Sequence, residues 1–310
     1  MPSKMNREFA VGCALLVGAI TLWSGNAVVA RAAMLEDVPP LAFNFWRWTL
    51  ALIILSPFTA SGVWRQRRAF LEGWWYYAAF GLIGVTLFND LFYIGLQYTT
   101  AVQGSLIMAI LPMLVLILAA VFLSHRITGR QIFGVVLSIA GVVVIVLQGD
   151  LELIRTLDVN AGDLWCLAAV VVWAIQIMML RWKPAEVTIL PFMTVIIAAG
   201  VLFQAPLYIW EHSTGQVFRP DANTLALTLY VALFAAVIGT TMYNSGVIKV
   251  GPTTSGYFGN LYPVFAAVLA IVFLGEPFEW FHGLGGALVL AGIYIATVLC
   301  RAEFVQVSKS

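Results

Sequence analysis

Ten stretches of this chain stay apolar for about 20 residues at a time, the length of helix that crosses the hydrocarbon core of a bilayer. They occupy residues 9–30, 41–62, 74–96, 101–124, 131–148, 162–180, 188–210, 225–248, 253–274 and 281–300. Lipid offers a backbone no hydrogen-bond partners, so such a segment must satisfy its own N–H and C=O groups, as a helix does. Composition agrees. Of 310 residues 62% are apolar and 10% charged, against roughly 45–50% and about 25% in soluble domains. The expected fold is an all-α membrane protein of ten transmembrane helices, with the lipid bilayer as its surroundings. A net charge of +1, and no basic run longer than Arg65-Gln-Arg-Arg68, argue against nucleic acid as a partner.

The chain also contains itself twice. Shifted by 151 positions, Pro112 falls on Pro263, Gly134 on Gly285 and Gly141 on Gly292, without a gap. At an offset of 150, Gly12 falls on Gly162, Trp23 on Trp173, Asn26 on Gln176 and Arg31 on Arg181. A period of half the chain means two large units, residues 1–149 and 150–310, rather than a solenoid. Lys4 and Arg7 before the first apolar run, with Ala30-Arg31-Ala32 after it, have the form of a signal peptide. That run exceeds the roughly 7–15 residues of a signal core and belongs to the repeat, so it is expected to remain as the first helix.

Five helices per unit is an odd number, so the second unit is expected to cross the membrane in the opposite sense to the first. With the N-terminus inside, twelve Lys and Arg fall in inner segments and only Arg31, Arg155 and Arg219 in outer ones. This positive-inside bias places both termini in the cytoplasm. Two inverted units related by an axis in the membrane plane are typical of secondary transporters, in which one pattern supports two alternative packings. A larger bundle with no such motion is the simpler structural alternative.

The residues assembled so far resemble the drug/metabolite transporter superfamily, in particular its ten-helix EamA-type exporters. The resemblance spans residues 10–299. It is carried by Ala19-Ile-Thr-Leu-Trp23-Ser-Gly-Asn26, by Pro39-Pro40 with Phe45-Trp46-Arg47, and by residues 97–141 with their copy, including Leu274-Gly275-Glu276-Pro277. It implies efflux of metabolites or drugs across a bacterial inner membrane, and the density of Trp and Tyr makes the chain similar to the aromatic amino-acid exporters of that superfamily. The first unit departs from the motif, reading Leu123-Ser-His-Arg126 where the second has Leu274-Gly-Glu-Pro277. A role for Glu276 need not be mirrored.

Ionisable groups at membrane depth are costly and need a partner or a task. Arg47 and Asp90 each lie about six residues inside the outer end of their helices, roughly 9–10 Å deep. They are expected to form a buried pair, either structural or serving a substrate carboxylate (Arg47) or a proton (Asp90). Neither has a counterpart in the copy, where the matching positions are near Ala198 and at Thr241. Pro112 and Pro263, near the middle of helices 4 and 9, free the carbonyls of Met108 and Gly259, and the small residues before them include Gly104 and Gly256. These four are candidate hinges. Other candidate cavity residues are Trp23, Asn26, Asn44, Asn89, Tyr93, Trp173, Gln176, Tyr243, Asn244, Tyr257, Asn260 and Tyr262. Intramembrane amides most often bond a neighbouring helix, and the two Trp could equally stack on a ligand or only pack. Trp74-Trp75-Tyr76-Tyr77 and Trp280, at span ends, read as interfacial anchors.

An apolar, aromatic interior with few charges suits small neutral or zwitterionic solutes with hydrophobic side chains, aromatic and large neutral amino acids first. A carrier of lipophilic cations is the alternative, and a channel-like facilitator a further one. The zinc pattern HExxH, the nucleophile elbow GxSxG and an ATP-binding loop are all missing from the sequence, and His125, His212 and His282 lie near helix ends. Cys13, Cys166 and Cys300 are far apart and apolar in context, without zinc-ligand spacing. No enzyme activity, metal or cofactor is expected, and a monomer is expected to suffice.

Overall fold

The computed structural model describes residues 2–35, 38–124, 126–156, 160–274 and 277–299; the side chains of 2–6, 26–35, 101, 102, 151, 154, 156, 270, 274, 298 and 299 lie outside the description. Ten helices are long and apolar enough to cross a membrane. They are α1 (Arg7–Gly25, within the longer helix Pro2–Leu35), α2 (Pro40–Arg65), α3 (Trp74–Tyr98), α4 (Gln103–Leu123), α5 (Gly129–Val146), α6 (Ala161–Trp182), α7 (Ile189–Ser213), α8 (Ala222–Val250), α9 (Pro252–Phe273) and α10 (Trp280–Thr297). Among the described residues there is no strand.

The local chemistry of the ends explains where several of these helices start. Pro39 and Pro40 open α2, where proline's missing N–H costs nothing. Thr128 and Gln131 form a capping box at the head of α5, and Asn160 and Asp163 form another at the head of α6. Asp163 also accepts from Thr99 Oγ1 at 2.5 Å and from Gln103 Nε2 at 3.2 Å, fastening the α3–α4 turn to α6. Between α6 and α7, Lys183 donates to the carbonyls of Pro184 and Val187. Burial pushes its ammonium below the usual lysine range, with Glu186 opposing the shift.

Helices α1–α5 meet helices α6–α10 in pairs: α1 with α8, α2 with α7, α3 with α6, α4 with α9 and α5 with α10. Exchanging each helix n for n+5 maps this set of pairs onto itself. Glycines make the closest approaches. A Cβ on Gly134 would lie 2.6 Å from the Gly292 carbonyl oxygen, and one on Gly141 would lie 2.6 Å from that of Gly285, so α5 and α10 run antiparallel. Gly12 meets Gly246, and Gly95 meets Gly162. The second contact is the first with its units exchanged, since residues 12 and 162, and 95 and 246, are 150 and 151 positions apart.

Two pairs of helices are irregular at matched places, and α10 also ends in a π-helical stretch, Ile295–Leu299. In α4 the helix breaks at Ala109–Ile110, just ahead of Pro112, and in α9 at Gly259–Asn260, ahead of Pro263. The Gly259 carbonyl, which Pro263 cannot bond, accepts from Tyr262 N at 3.1 Å instead. α3 and α8 each carry a π-helical stretch, Leu82–Leu87 and Val231–Gly239. One expectation needs correction. Trp74 and Trp75 are exposed, as anchors would be, but Tyr76 and Tyr77 are buried against Phe80 and Phe192 and belong to the core. Their polar hydroxyls gave an interfacial reading, but the turn of the helix points both rings inward.

Candidate functional site

Arg47 and Asp90 are both buried, at 5% and 4% exposure. They do not form the direct pair expected of them: among the described residues no ion pair joins them. Asn44, one helical turn before Arg47 on α2, stands between. Its Oδ1 accepts from Arg47 Nη2 at 2.8 Å, and its Nδ2 donates to Asp90 Oδ1 at 2.8 Å. The i,i+3 spacing puts Asn44 and Arg47 on one face of α2, turned toward α3. From α3, Asn89 Oδ1 takes a second bond from Arg47 Nη2 at 2.8 Å, and Tyr93 Oη one from Nη1 at 3.2 Å. From α7, Gln204 Nε2 donates to Asp90 Oδ1 at 2.9 Å. A charge in mid-bilayer costs roughly 2.5–3.5 kcal/mol on insertion scales. Three charge-assisted bonds of about 1.5–3 kcal/mol each cover that cost. Neutral acceptors therefore suffice to hold the guanidinium, and its charge is left uncancelled by direct contact. Arg47 Nε and Asp90 Oδ2 have no hydrogen-bond partner.

Beside this network lies an aromatic group. Trp23 and Trp173 meet edge to face at 5.8 Å between ring centroids, and Tyr243 contacts both, at 4.8 and 5.9 Å. Phe88, the residue before Asn89, closes on Trp173 at 5.1 Å, so adjacent positions of α3 serve the aromatic group and the polar network. The irregular backbone of α8 supplies a partner: Trp23 Nε1 donates to the Ala235 carbonyl inside the π-helical stretch at 3.1 Å. Ser24 Oγ donates to the Tyr262 carbonyl at 3.0 Å, tying α1 to the break in α9.

The structure thus brings Asn44, Arg47, Asn89, Asp90 and Tyr93 into one network, and Trp23, Trp173 and Tyr243 into one aromatic group. Other candidates stand apart. Asn260 Nδ2 bonds Ser138 Oγ of α5 at 3.0 Å, and Asn244 Nδ2 contacts Met193 Sδ of α7 at 3.2 Å. Tyr257 is buried near Pro112 and Ser138, and Gln176 packs on Gly84 in the π-helical stretch of α3. The side chain of Asn26, His125 and Glu276 lie outside the described residues. Of the candidate hinges, Gly104 lies against Leu96 and Gly256 against Val115, with Pro112 and Pro263 at the breaks.

Two polar residues were missed. Gln204 sits in an apolar run two residues before Pro206, where a lone amide is itself the signal of a polar contact. Glu211 accepts from Leu41 N at 3.0 Å and Ala42 N at 2.6 Å, capping α2 from the end of α7. Nothing in the sequence near residue 40 announces a cap 170 positions away. A cavity of about 190 Å³ lies elsewhere, among Ile145, Val264, Val268, Val272 and His282, and is almost wholly apolar.

The profile of the EamA-like transporter family matches this chain twice, over residues 10–147 and again over residues 160–298. The chain belongs to that family. As an EamA-like transporter it is a multi-pass membrane protein that moves a small molecule, and it is not an enzyme. It is 29% identical over 265 residues to the uncharacterized transporter YyaM of Bacillus subtilis (strain 168), covering 84% of this chain and 86% of that one. It is 30% identical over 281 residues to a probable terminal-alkyne amino-acid exporter of Streptantibioticus cattleyicolor, covering 90% of this chain and 91% of that one. A solved crystal structure aligns with this EamA-like transporter at a TM-score of 0.76 and 19% identity, over 96% of this chain and 99% of the other, which supports the fold.

Proposed function

We propose that this transporter exports small neutral or zwitterionic hydrophobic metabolites, aromatic and large neutral amino acids first, by alternating access in a bacterial inner membrane. The observation that carries the reading is the meeting of Trp23 and Trp173, matched positions of the two units, around Tyr243 and next to the Arg47 network. An aromatic box with a few fixed polar groups suits a side chain that is apolar and a head that is not. The similarity to an amino-acid exporter supports the same class. Alternating access follows from units 1–149 and 150–310 acting as inverted five-helix repeats, a reading supported by the exchangeable helix pairs and the antiparallel α5 and α10. The breaks at Pro112 and Pro263, with Gly104 and Gly256, are then the moving parts, and a monomer holds the whole path. A lipophilic cation is the second reading, favoured by the unpartnered Asp90 Oδ2.

The test is counterflow in proteoliposomes loaded with unlabelled amino acid, read with labelled phenylalanine, tyrosine, tryptophan and leucine. Uptake competed by neutral amino acids is expected. Uptake of a lipophilic cation with no exchange of any neutral amino acid would transfer the function to the second reading.

A further inference from the structure

The bridging amide of Asn44 has a polarity of its own. Its acceptor end faces Arg47 and its donor end faces Asp90, each at 2.8 Å. An α-amino acid head group has the same polarity, carboxylate acceptor at one end and ammonium donor at the other, over a similar span. We propose that the Asn44 carboxamide is an internal stand-in for that head group. In the loaded state the substrate carboxylate takes bonds from Arg47 and the substrate ammonium gives them to Asp90, with Asn44 turned aside.

Four observations carry this inference. The two charges of opposite sign are buried without contacting each other, so the gap between them is already set apart for a dipole. Arg47 Nε and Asp90 Oδ2 each have capacity left over, and neither has a protein partner. A guanidinium fork matches a carboxylate far better than the separate amide oxygens it now holds, so the exchange favours substrate. The aromatic group begins at Phe88, next in sequence to Asn89, so α3 carries the apolar group and the Arg47 network at neighbouring positions. The charge count is the same before and after. A zwitterion brings one charge of each sign and leaves the membrane interior neutral, whereas an amine or a carboxylic acid alone would leave Arg47 or Asp90 facing an unmatched partner.

The inference rests on the amino-acid reading above, and it makes a narrower claim: both head-group charges are required. It is tested on reconstituted full-length protein by competing the exchange of labelled phenylalanine and labelled leucine. The competitors are phenylalaninamide and phenylethylamine, which lack the carboxylate, and N-acetylphenylalanine and 3-phenylpropionate, which lack the ammonium. Each is expected to compete at least about tenfold more weakly than phenylalanine itself. In Arg47→Gln that gap should close for the two amines, and in Asp90→Asn for the two acids. Arg47→Lys, which keeps the charge but loses the fork, should raise KM about tenfold while keeping the gap. The wild-type panel needs no variant to fold, so it decides the matter even if a substitution prevents assembly. Equal competition by phenylalanine and phenylalaninamide would overturn the clamp while leaving amino-acid export standing. Exchange of leucine without phenylalanine, with leucinamide and N-acetylleucine competing at least about tenfold more weakly than leucine, would uphold the clamp and remove the aromatic preference. No exchange of any amino acid would overturn both.

Discussion

Single residues carry the least symmetric part of this transporter. Arg47, Asn44, Asp90 and Gln204 lie on α2, α3 and α7, and positions 47 and 90 have no charged match in the other unit. Glu211 shows how a membrane protein handles a helix end that is buried. Two amide donors at the head of α2 would be left bare in an apolar setting, and a carboxylate from another helix covers both. Glu211→Ala is expected to lower stability by about 1–3 kcal/mol, because the donors stay buried. Glu211→Gln, which keeps one acceptor, should cost about half as much. Reversible unfolding in mixed micelles measures both, and equal values for the two variants would refute the cap. The candidate charges of the network could be picked out from the sequence because each is ionisable inside an apolar run. Which partners they would choose could not, since Asn44 and Gln204 compete with direct ion pairing only once three helices are in place.

At the scale of helices, close glycine contacts decide which pairs form. On α10, Gly285 and Gly286 are neighbours in sequence with opposite surroundings. A Cβ on Gly285 would sit 2.7 Å from the Gly141 carbonyl oxygen, whereas one on Gly286 meets nothing closer than Val264 Cγ1 at 3.7 Å. Gly285→Ala is expected to destabilise by about 1–3 kcal/mol through forced separation of α5 and α10. Gly286→Ala should be neutral or slightly stabilising, since alanine is the better helix former. Thermal melts in one detergent compare them, and equal losses would contradict the packing. The broken helices make a second prediction. Pro263→Ala gives α9 back an amide donor for Gly259, so the helix should straighten and turnover should fall several-fold with stability kept or raised. Unchanged turnover would remove the break from the moving parts. The proline positions were legible because proline lacks a donor wherever it stands. The π-helical stretches were not, because an extra residue per turn leaves no mark in an apolar sequence; in α8 the Ala235 carbonyl accepts from Thr240 N and also from the indole of Trp23, a partner 212 positions away.

For the whole molecule, the positive-inside bias predicts the orientation. With both termini in the cytoplasm, single cysteines at Arg67 and Arg126 should be shielded from an impermeant thiol reagent in intact cells, and one at Arg219 should be labelled. Labelling of the first two and not the third would invert the topology. Sequence by itself determined that the chain lives in lipid, crosses it ten times and repeats itself, because length, hydropathy and an ungapped offset are local properties that no packing can alter. Tertiary structure decided what the polar residues do. It set Asn44 between Arg47 and Asp90, sent Asn260 to Ser138, turned Tyr76 and Tyr77 inward, and brought together two tryptophans 150 positions apart. The physical reason is range. A hydrogen bond or ring contact forms only within a few ångströms, and which residues come that close is fixed by the facing of helices, which one-dimensional order does not contain.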